Sequence, residues 1–322
     1  MKIGTRKSKM ALAQTREIVE ALEAAHAGLS VDIAENDTLG DRDQTSKLLV
    51  HGGKGGAFVA GIRVMMRRGD IQMAMHSLKD MPGNEETPGL VIGAYRPRED
   101  ARDALVLRKG LDFKTFDAAH GGSFRLGTNS VRRAAQLRRR FPGVEVIHFR
   151  GAADSRIRKL DAGKGQDLPE GGRTEPADGL VMAAAGLRRV GLADRISHHF
   201  ETDELLPAAT QGIVVVECAA DDWQTRDRLT AINDVPAQIA ADAEREVLWV
   251  LDGHCNSPIA AYAAADGDRL HLKAEVLDLD GATALRAEAY GSVGSPRALG
   301  RAVALELIGQ GASDIIARTR PR

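Results

Sequence analysis

Ile213-Val-Val-Val-Glu217 is a near-continuous run of β-branched residues. Such a run suits a strand buried on both faces, where nothing demands that polar side chains alternate with apolar ones. Strands of that kind occur in sheets covered by helices on both sides, so this stretch points to an α/β fold. The chain around it agrees. Residues 2–5 predict a short strand, and Ser8 is placed to cap a helix with Leu12, Thr15, Val19 and Leu22 on one face. A second strand is expected over 31–35 and a helix over 58–68, ended by Gly69. A strand over 71–75 then has Ile71, Met73 and Met75 on one side. A further unit begins at Asp103, with a strand at 125–127, a helix at 130–140, a strand at 144–149 and a helix from about Asp154. Residues 163–178, rich in Gly, Pro and charge, predict an exposed loop. The last part offers a helix around 240–251, strands near 270–277 and a closing helix after Pro296.

The 322 residues correspond to roughly two to three domains. Hydrophobic residues make up 43% and charged residues 28%, with no apolar run near the ~18 residues that cross a bilayer, so a soluble protein without a membrane partner is expected. The N-terminal Met1-Lys-Ile-Gly-Thr-Arg-Lys-Ser8 lacks the apolar core and cleavage site of a secretion signal, which implies a cytoplasmic location. Two cysteines, Cys218 and Cys255, allow one bridge at most, and reduced thiols are expected.

The net charge of −1 conceals a polarity along the chain. Residues 96–160 hold 16 lysines and arginines against 7 acids, while residues 201–252 hold 12 acids against 3 basic residues. Aromatics are only 4% of the chain, too few among these arginines to stack on bases, so an anionic small or oligomeric ligand fits better than nucleic acid. Two solvated surfaces of opposite sign would give the same count.

Several places carry the residue types that chemistry requires. Gly127-Thr-Asn-Ser-Val-Arg-Arg133 sets Arg132 and Arg133 in or near the first turn of a helix, where the macrodipole opposes cations. A local conflict of that kind marks a functional site, and guanidinium forks beside free backbone N–H groups would receive a carboxylate. Arg6 and Ser8 suggest a second ligand-facing helix end, although capping alone explains Ser8. Asp80 follows a strand in His76-Ser-Leu-Lys-Asp80, where open α/β sheets place ligand-handling residues, and a carboxylate there can stabilise a developing cation or move protons. His76 reads as structural. The glycine-rich 50–58 loop lacks the spacing of a phosphate-binding loop and reads as a lid carrying Lys54. Cys218 ends an apolar run and reads as a core thiol. Cys255 sits in a loop with His254 able to assist thiolate formation, and its surroundings hold too few ligands for a metal.

These residues, in this order, resemble the porphobilinogen deaminase (hydroxymethylbilane synthase) family over nearly the whole chain. The matching stretches are Gly4 to Ser8, Thr38-Leu-Gly-Asp41, His76 to Pro82, Arg98 to Ala104, Gly127 to Arg133, Ala184 to Arg189, Leu206 to Gly212, Ala243-Glu-Arg245 and the Cys255 loop. The resemblance implies a transferase of porphyrin biosynthesis that condenses four porphobilinogen molecules into a linear hydroxymethylbilane, with loss of ammonia at each step. It implies a dipyrromethane cofactor bound through a thioether to Cys255, with Asp80 as the catalytic residue. Lys79, Thr128, Ser130, Arg132, Arg133, Arg150 and Arg156 match positions that hold the cofactor. Arg6, Ser8, Arg150, Arg156 and Arg189 match positions that hold substrate, and Lys54 and Phe58 belong to the lid loop. The implied fold has three domains. Residues 1–98 with 213–230 and residues 102–206 form two lobes like a type II periplasmic binding protein, and 235–322 form a smaller α+β domain; a monomer is implied. The chain departs from the family pattern at the glycine loop, at Arg150-Gly-Ala-Ala-Asp-Ser-Arg156, at Ala209-Thr-Gln-Gly212, at Gly253-His-Cys255 and in a longer 163–178 loop, so a divergent paralogue with a different pyrrole substrate or a shorter product is an alternative reading. A non-catalytic binding protein on the same scaffold would instead leave Cys255 unmodified.

Overall fold

The computed structural model describes residues 1–37, 59–119, 121–168, 171–254 and 256–319; Lys54, Phe58, the Thr38 to Asp41 stretch and Cys255 lie outside them. The chain opens with β1 (Lys2–Arg6), α1 (Lys9–Ala25), β2 (Asp32–Asn36), α2 (Ala60–Arg67), β3 (Met73–Ser77) and β4 (Leu90–Tyr95). It then crosses to a second sheet with β5 (Asp103–Leu107), α3 (Phe113–Ala118), β6 (Arg125–Gly127) and α4 (Val131–Arg140). That sheet continues through β7 (Glu145–Ile147), α5 (Ala153–Asp161), β8 (Gly179–Ala183), α6 (Ala184–Arg189) and β9 (His198–Phe200). The chain returns as β10 (Val214–Ala219), followed by α7 (Trp223–Thr230) and α8 (Val235–Val250). A final unit holds β11 (Ile259–Asp266), β12 (Arg269–Leu277), β13 (Ala284–Ser292), α9 (Pro296–Gly309) and α10 (Ala312–Thr319).

The first sheet runs β2-β1-β3-β10-β4 and the second β7-β6-β8-β5-β9. In both, the first three strands are parallel and the fourth is antiparallel to its neighbours. Each crossing therefore delivers an antiparallel strand to the same place in the sheet it enters. Because β10 lies between β3 and β4, its residues 214–218 are all buried, as the β-branched run requires. Its one acid, Glu217, is held by the Arg63 guanidinium at 2.8 Å and lies 3.3 Å from the His76 ring. The third sheet is an antiparallel meander, β11-β12-β13, packed on α8 and α9. Among the described residues no helix is long and apolar enough to cross a membrane.

Four local expectations shift. The buried side of α1 is Ala11, Gln14, Thr15, Ile18 and Leu22, turned from the expected stripe so that Leu12 and Val19 are only partly buried. β3 starts at Met73 because Ile71 packs with Ile62 and Met66 of α2 rather than joining the ladder. Residues 163–178 are not uniformly exposed, since Gln166 and Ala177 are buried and Asp167 pairs with Arg173. The helix expected around 240 begins earlier, at Val235, with Asp234 capping it by accepting from the Ala237 N–H at 2.7 Å.

The two crossing segments run side by side. The Arg96 N–H donates to the Val214 carbonyl at 2.8 Å and the Glu99 N–H to the Gly212 carbonyl at 3.2 Å. A Cβ on Gly212, whose φ is +93°, would lie 2.2 Å from the Glu99 carbonyl oxygen, so only glycine fits there. Glu244 of α8 closes this junction. It is fully buried and accepts from the Arg98 guanidinium, from the Thr210 N–H and, at 2.7 Å, from the Ala263 N–H of β11. One carboxylate thus ties both crossings to the third unit. Removing one member of such a buried pair strands the other charge, so Glu244→Ala should lower stability by about 3–5 kcal/mol in urea unfolding.

Candidate active site

The parallel strands end where the candidate residues begin. Arg6 and Ser8 follow β1, and Lys79 and Asp80 lie on a 3₁₀ turn, Leu78–Asp80, directly after β3. Thr128 and Ser130 follow β6 and lead into α4, Arg150 follows β7, Arg156 is on α5, and Arg189 is on α6 after β8. The carboxyl ends of parallel strands converge on one side of each sheet, which is where open α/β folds bind ligands.

A cavity of about 180 Å³ lies between these strand ends. Lys79 and Asp80 of the first sheet line it, facing Arg133, Arg156 and Arg189 of the second, with Gly212 of the returning crossing beside them. A smaller space of about 20 Å³ adjoins it, lined by Arg6, His76 and again Asp80. Asp80 is therefore the acid at which both spaces meet.

The cations are held by specific partners. Asp103, at the start of β5 and fully buried, takes Arg132 on one oxygen at 2.8 Å and Arg133 on the other at 2.8 Å. Burial alone would raise the Asp103 pKa, but the two guanidinium groups outweigh it and hold the carboxyl well below its ordinary 3.8. Arg189 lies 3.4 Å from Glu17 of α1, which brings an α6 cation to the first lobe's helix. Arg156 is different. Burial and the neighbouring Arg133 charge lower its pKa from 12.5 to about 10, and its Nε is buried without a hydrogen-bond partner among the described residues. A guanidinium in that position remains charged at neutral pH, and with its Nε–H unsatisfied among the described residues it fits an incoming carboxylate.

Not every expected residue reaches the wall. Arg132 turns away from the cavity and spends its guanidinium on Asp103, Gln136 and the Leu206 carbonyl. Ser130 caps α4 by accepting from the Arg133 N–H, and Thr128 accepts from the Ser130 N–H at 3.2 Å, so both fix the helix start. Ser8 caps α1 in the same way. Arg150 is buried, and its N–H donates to Gln166 at 3.4 Å. The His254 ring accepts from the Asn256 N–H at 3.3 Å and meets the Thr319 hydroxyl at 3.4 Å. Cys218 is a buried core thiol whose pKa burial pushes up to about 11.

The charge polarity along the chain also has a second explanation. Arg98 pairs with Glu244, Arg102 with Glu201 and Arg140 approaches Glu204, so part of the basic segment serves the acidic segment rather than a ligand. Asp103 and Gln211 were not singled out from sequence. Asp103 was signalled by an acid heading the apolar run Ala104 to Leu107, and Gln211 by its place in the Leu206 to Gly212 stretch.

The cavity suits a ligand carrying several carboxylates, because among the described residues four cations face it and one of them has an unsatisfied donor. Fold and site together define a cleft protein for acidic ligands, with Asp80, among the described residues, as the carboxylate set among its cations. Comparison with known proteins is consistent. The family described as "Porphobilinogen deaminase, dipyromethane cofactor binding domain" matches residues 1–227, and its C-terminal domain matches 238–309. A porphobilinogen deaminase of Acidithiobacillus ferrooxidans is 39% identical over 320 residues, covering 99% of this chain and 98% of that one. That of Roseiflexus sp. (strain RS-1) is 40% identical over 315 residues, covering 98% of each. Among solved structures, the VFT2 domain of Bordetella pertussis BvgS matches with a TM-score of 0.41 and 15% identity, covering 72% of this chain and 85% of that one. The chain belongs to the porphobilinogen deaminase family.

Because the Asp103 carboxyl titrates below 3.8 when folded, its ionised form favours the folded state at every pH above 3.8, and that advantage fades as pH falls below it. Asp103→Asn should therefore be less stable than the wild type by about 3–5 kcal/mol at pH 7, with the gap narrowing in urea titrations at successively lower pH below 3.8.

Proposed function

We propose that this chain condenses four molecules of porphobilinogen into linear hydroxymethylbilane, releasing one ammonia per addition, with the product growing on a dipyrromethane bound as a thioether to Cys255 and one water finally cleaving it from that primer to leave its hydroxymethyl group. The observation that carries this reading is the meeting of Asp80 with cations from both sheets on one cavity. When bound, the dipyrromethane would supply the free pyrrole carbon to which the first ring is joined, each later ring joining the one before it.

Each porphobilinogen carries an acetate and a propionate. Arg133, Arg156 and Arg189 offer planar guanidinium forks to such groups, and Lys79 faces them as a point charge. Arg6 is assigned to the substrate because its cavity adjoins Asp80. Thr128, Ser130 and Arg132 act on the cofactor from behind the wall, by fixing the start of α4 and so the aim of Arg133. Ser8 and Arg150 are assigned on the family pattern alone, and Lys54 and Phe58 are assigned to a lid on the same ground.

Asp80 is assigned the chemical step because it lines both cavities. Its carboxylate stabilises the cation left on the incoming porphobilinogen when the C–N bond breaks and ammonia departs. The ring carbon that takes up the new C–C bond would then have to give up its proton, and Asp80 is positioned to hold it until it leaves with ammonia as ammonium. The partly enclosed site keeps water from capturing the cation between these events. The sheet memberships support domains at 1–98 with 213–230, at 102–206 and at 235–322. A cytoplasmic monomer without nucleic-acid or membrane partners completes the proposal, on the sequence features given above.

Asp80→Ala should lower turnover by roughly 10²–10⁴-fold, with the circular dichroism spectrum and the covalent pyrrole adduct unchanged. Turnover within a few-fold of wild type would remove Asp80 from the chemistry.

A further inference from the structure

Behind the cationic wall lies Gln211, on the returning crossing next to Gly212. It is fully buried and lines neither cavity. Its amide oxygen accepts from Lys79 Nζ at 3.0 Å and from an Arg133 guanidinium nitrogen at 3.2 Å. Its amide nitrogen donates to the Ala101 carbonyl at 2.7 Å and to Asp103 Oδ1 at 2.8 Å. The amide thus meets two donors with its acceptor and two acceptors with its donors, which also fixes its orientation, since the flipped amide would set N–H groups against both cations.

Lys79 comes from the first sheet and Arg133 from the second, and both line the large cavity. Their nitrogens are no further apart than the two hydrogen bonds laid end to end, a distance at which like charges repel. One neutral oxygen holds them there without cancelling either charge. A carboxylate in its place would neutralise a cation that a ligand needs and would oppose Asp103. We infer that Gln211 is a positioning residue: it sets the separation and aim of the Lys79–Arg133 pair across the two sheets, and through that pair the binding of pyrrole carboxylates. This inference rests on the cavity reading proposed above.

Such a role predicts a loss of binding with little change in the chemical step, since the two side chains that Gln211 holds, Lys79 and Arg133, are assigned to the ligand's carboxylates and not to bond making. In holoenzyme whose adduct has been verified by intact mass, Gln211→Met should raise KM for porphobilinogen roughly tenfold while kcat stays within about threefold. The decisive readout is a double-mutant cycle with Lys79→Met. If Gln211 acts through Lys79, then in the Lys79→Met background Gln211→Met should move KM by less than about threefold, a clear departure from multiplicative effects. An unchanged KM in the single variant, or fully multiplicative effects in the double, overturns the inference, even if the melting temperature falls as any structural role predicts. Should Gln211→Met fail to fold, Gln211→Asn, with its amide one methylene short, goes through the same cycle. Wild-type protein with neither adduct nor turnover would overturn the function itself, and this inference with it. Loaded, active wild type with KM unmoved by the substitution overturns only the positioning role.

Discussion

Asp103 is a carboxylate removed from water on which two guanidinium groups and an amide converge. The aim of Arg133, on the second lobe's side of the cavity, depends on that arrangement. Arg132 and Arg133 start α4, where the helix dipole opposes positive charge, and the Ser130 cap satisfies a backbone donor without offsetting that charge. Asp103 supplies the missing counter-charge from the adjacent β5. An unpaired ion at that depth would be prohibitive, and excellent geometry with additional hydrogen bonds is what makes the buried cluster tolerable. Of the two arginines, one is consumed by the interior and the other is presented to the cavity.

The same solution recurs at the junction with the third unit. Glu244 is a second fully buried acid, and its partners are the two crossing segments and β11. Both carboxylates lie close to where the chain passes between sheets, so the geometry of the passage is specified by directional bonds rather than by apolar packing alone. The route from fold to site is then short. Parallel strands of two sheets end toward a common space, the crossings set how those ends face each other, and the ends carry cations on both sides with Asp80 between them.

Much of this was legible in the sequence. The β-branched run at 213–217 foretold a strand buried on both faces, and Gly127 to Arg133 foretold a helix whose first turn conflicts with its charge. What that conflict could not reveal was its partner, because Asp103 and Arg133 are 30 positions apart and meet only when β5 is placed beside β8. Helix phase also escaped, since the buried side of α1 admits Gln14, whose amide oxygen accepts from the Ser77 hydroxyl at 3.2 Å, a partner that periodicity ignores. The division of labour among the arginines was likewise hidden. Arg132 and Arg133 are neighbours in sequence, and only the helix rotation sends one inward and the other to the cavity. Gln211 could not stand out, because a glutamine acquires meaning only from the four groups around it.

The central claim is that this cationic cleft holds a growing, covalently tethered acidic chain. Intact mass spectrometry of the purified protein, alone and after brief exposure to porphobilinogen, tests it most directly when set beside Cys255→Ser. The account predicts a dipyrrole-sized adduct on the wild type, absent from Cys255→Ser, with a ladder of added pyrrole units that ends at four. Unmodified wild-type protein that stays unmodified with porphobilinogen, and also after priming with preformed hydroxymethylbilane, would contradict it.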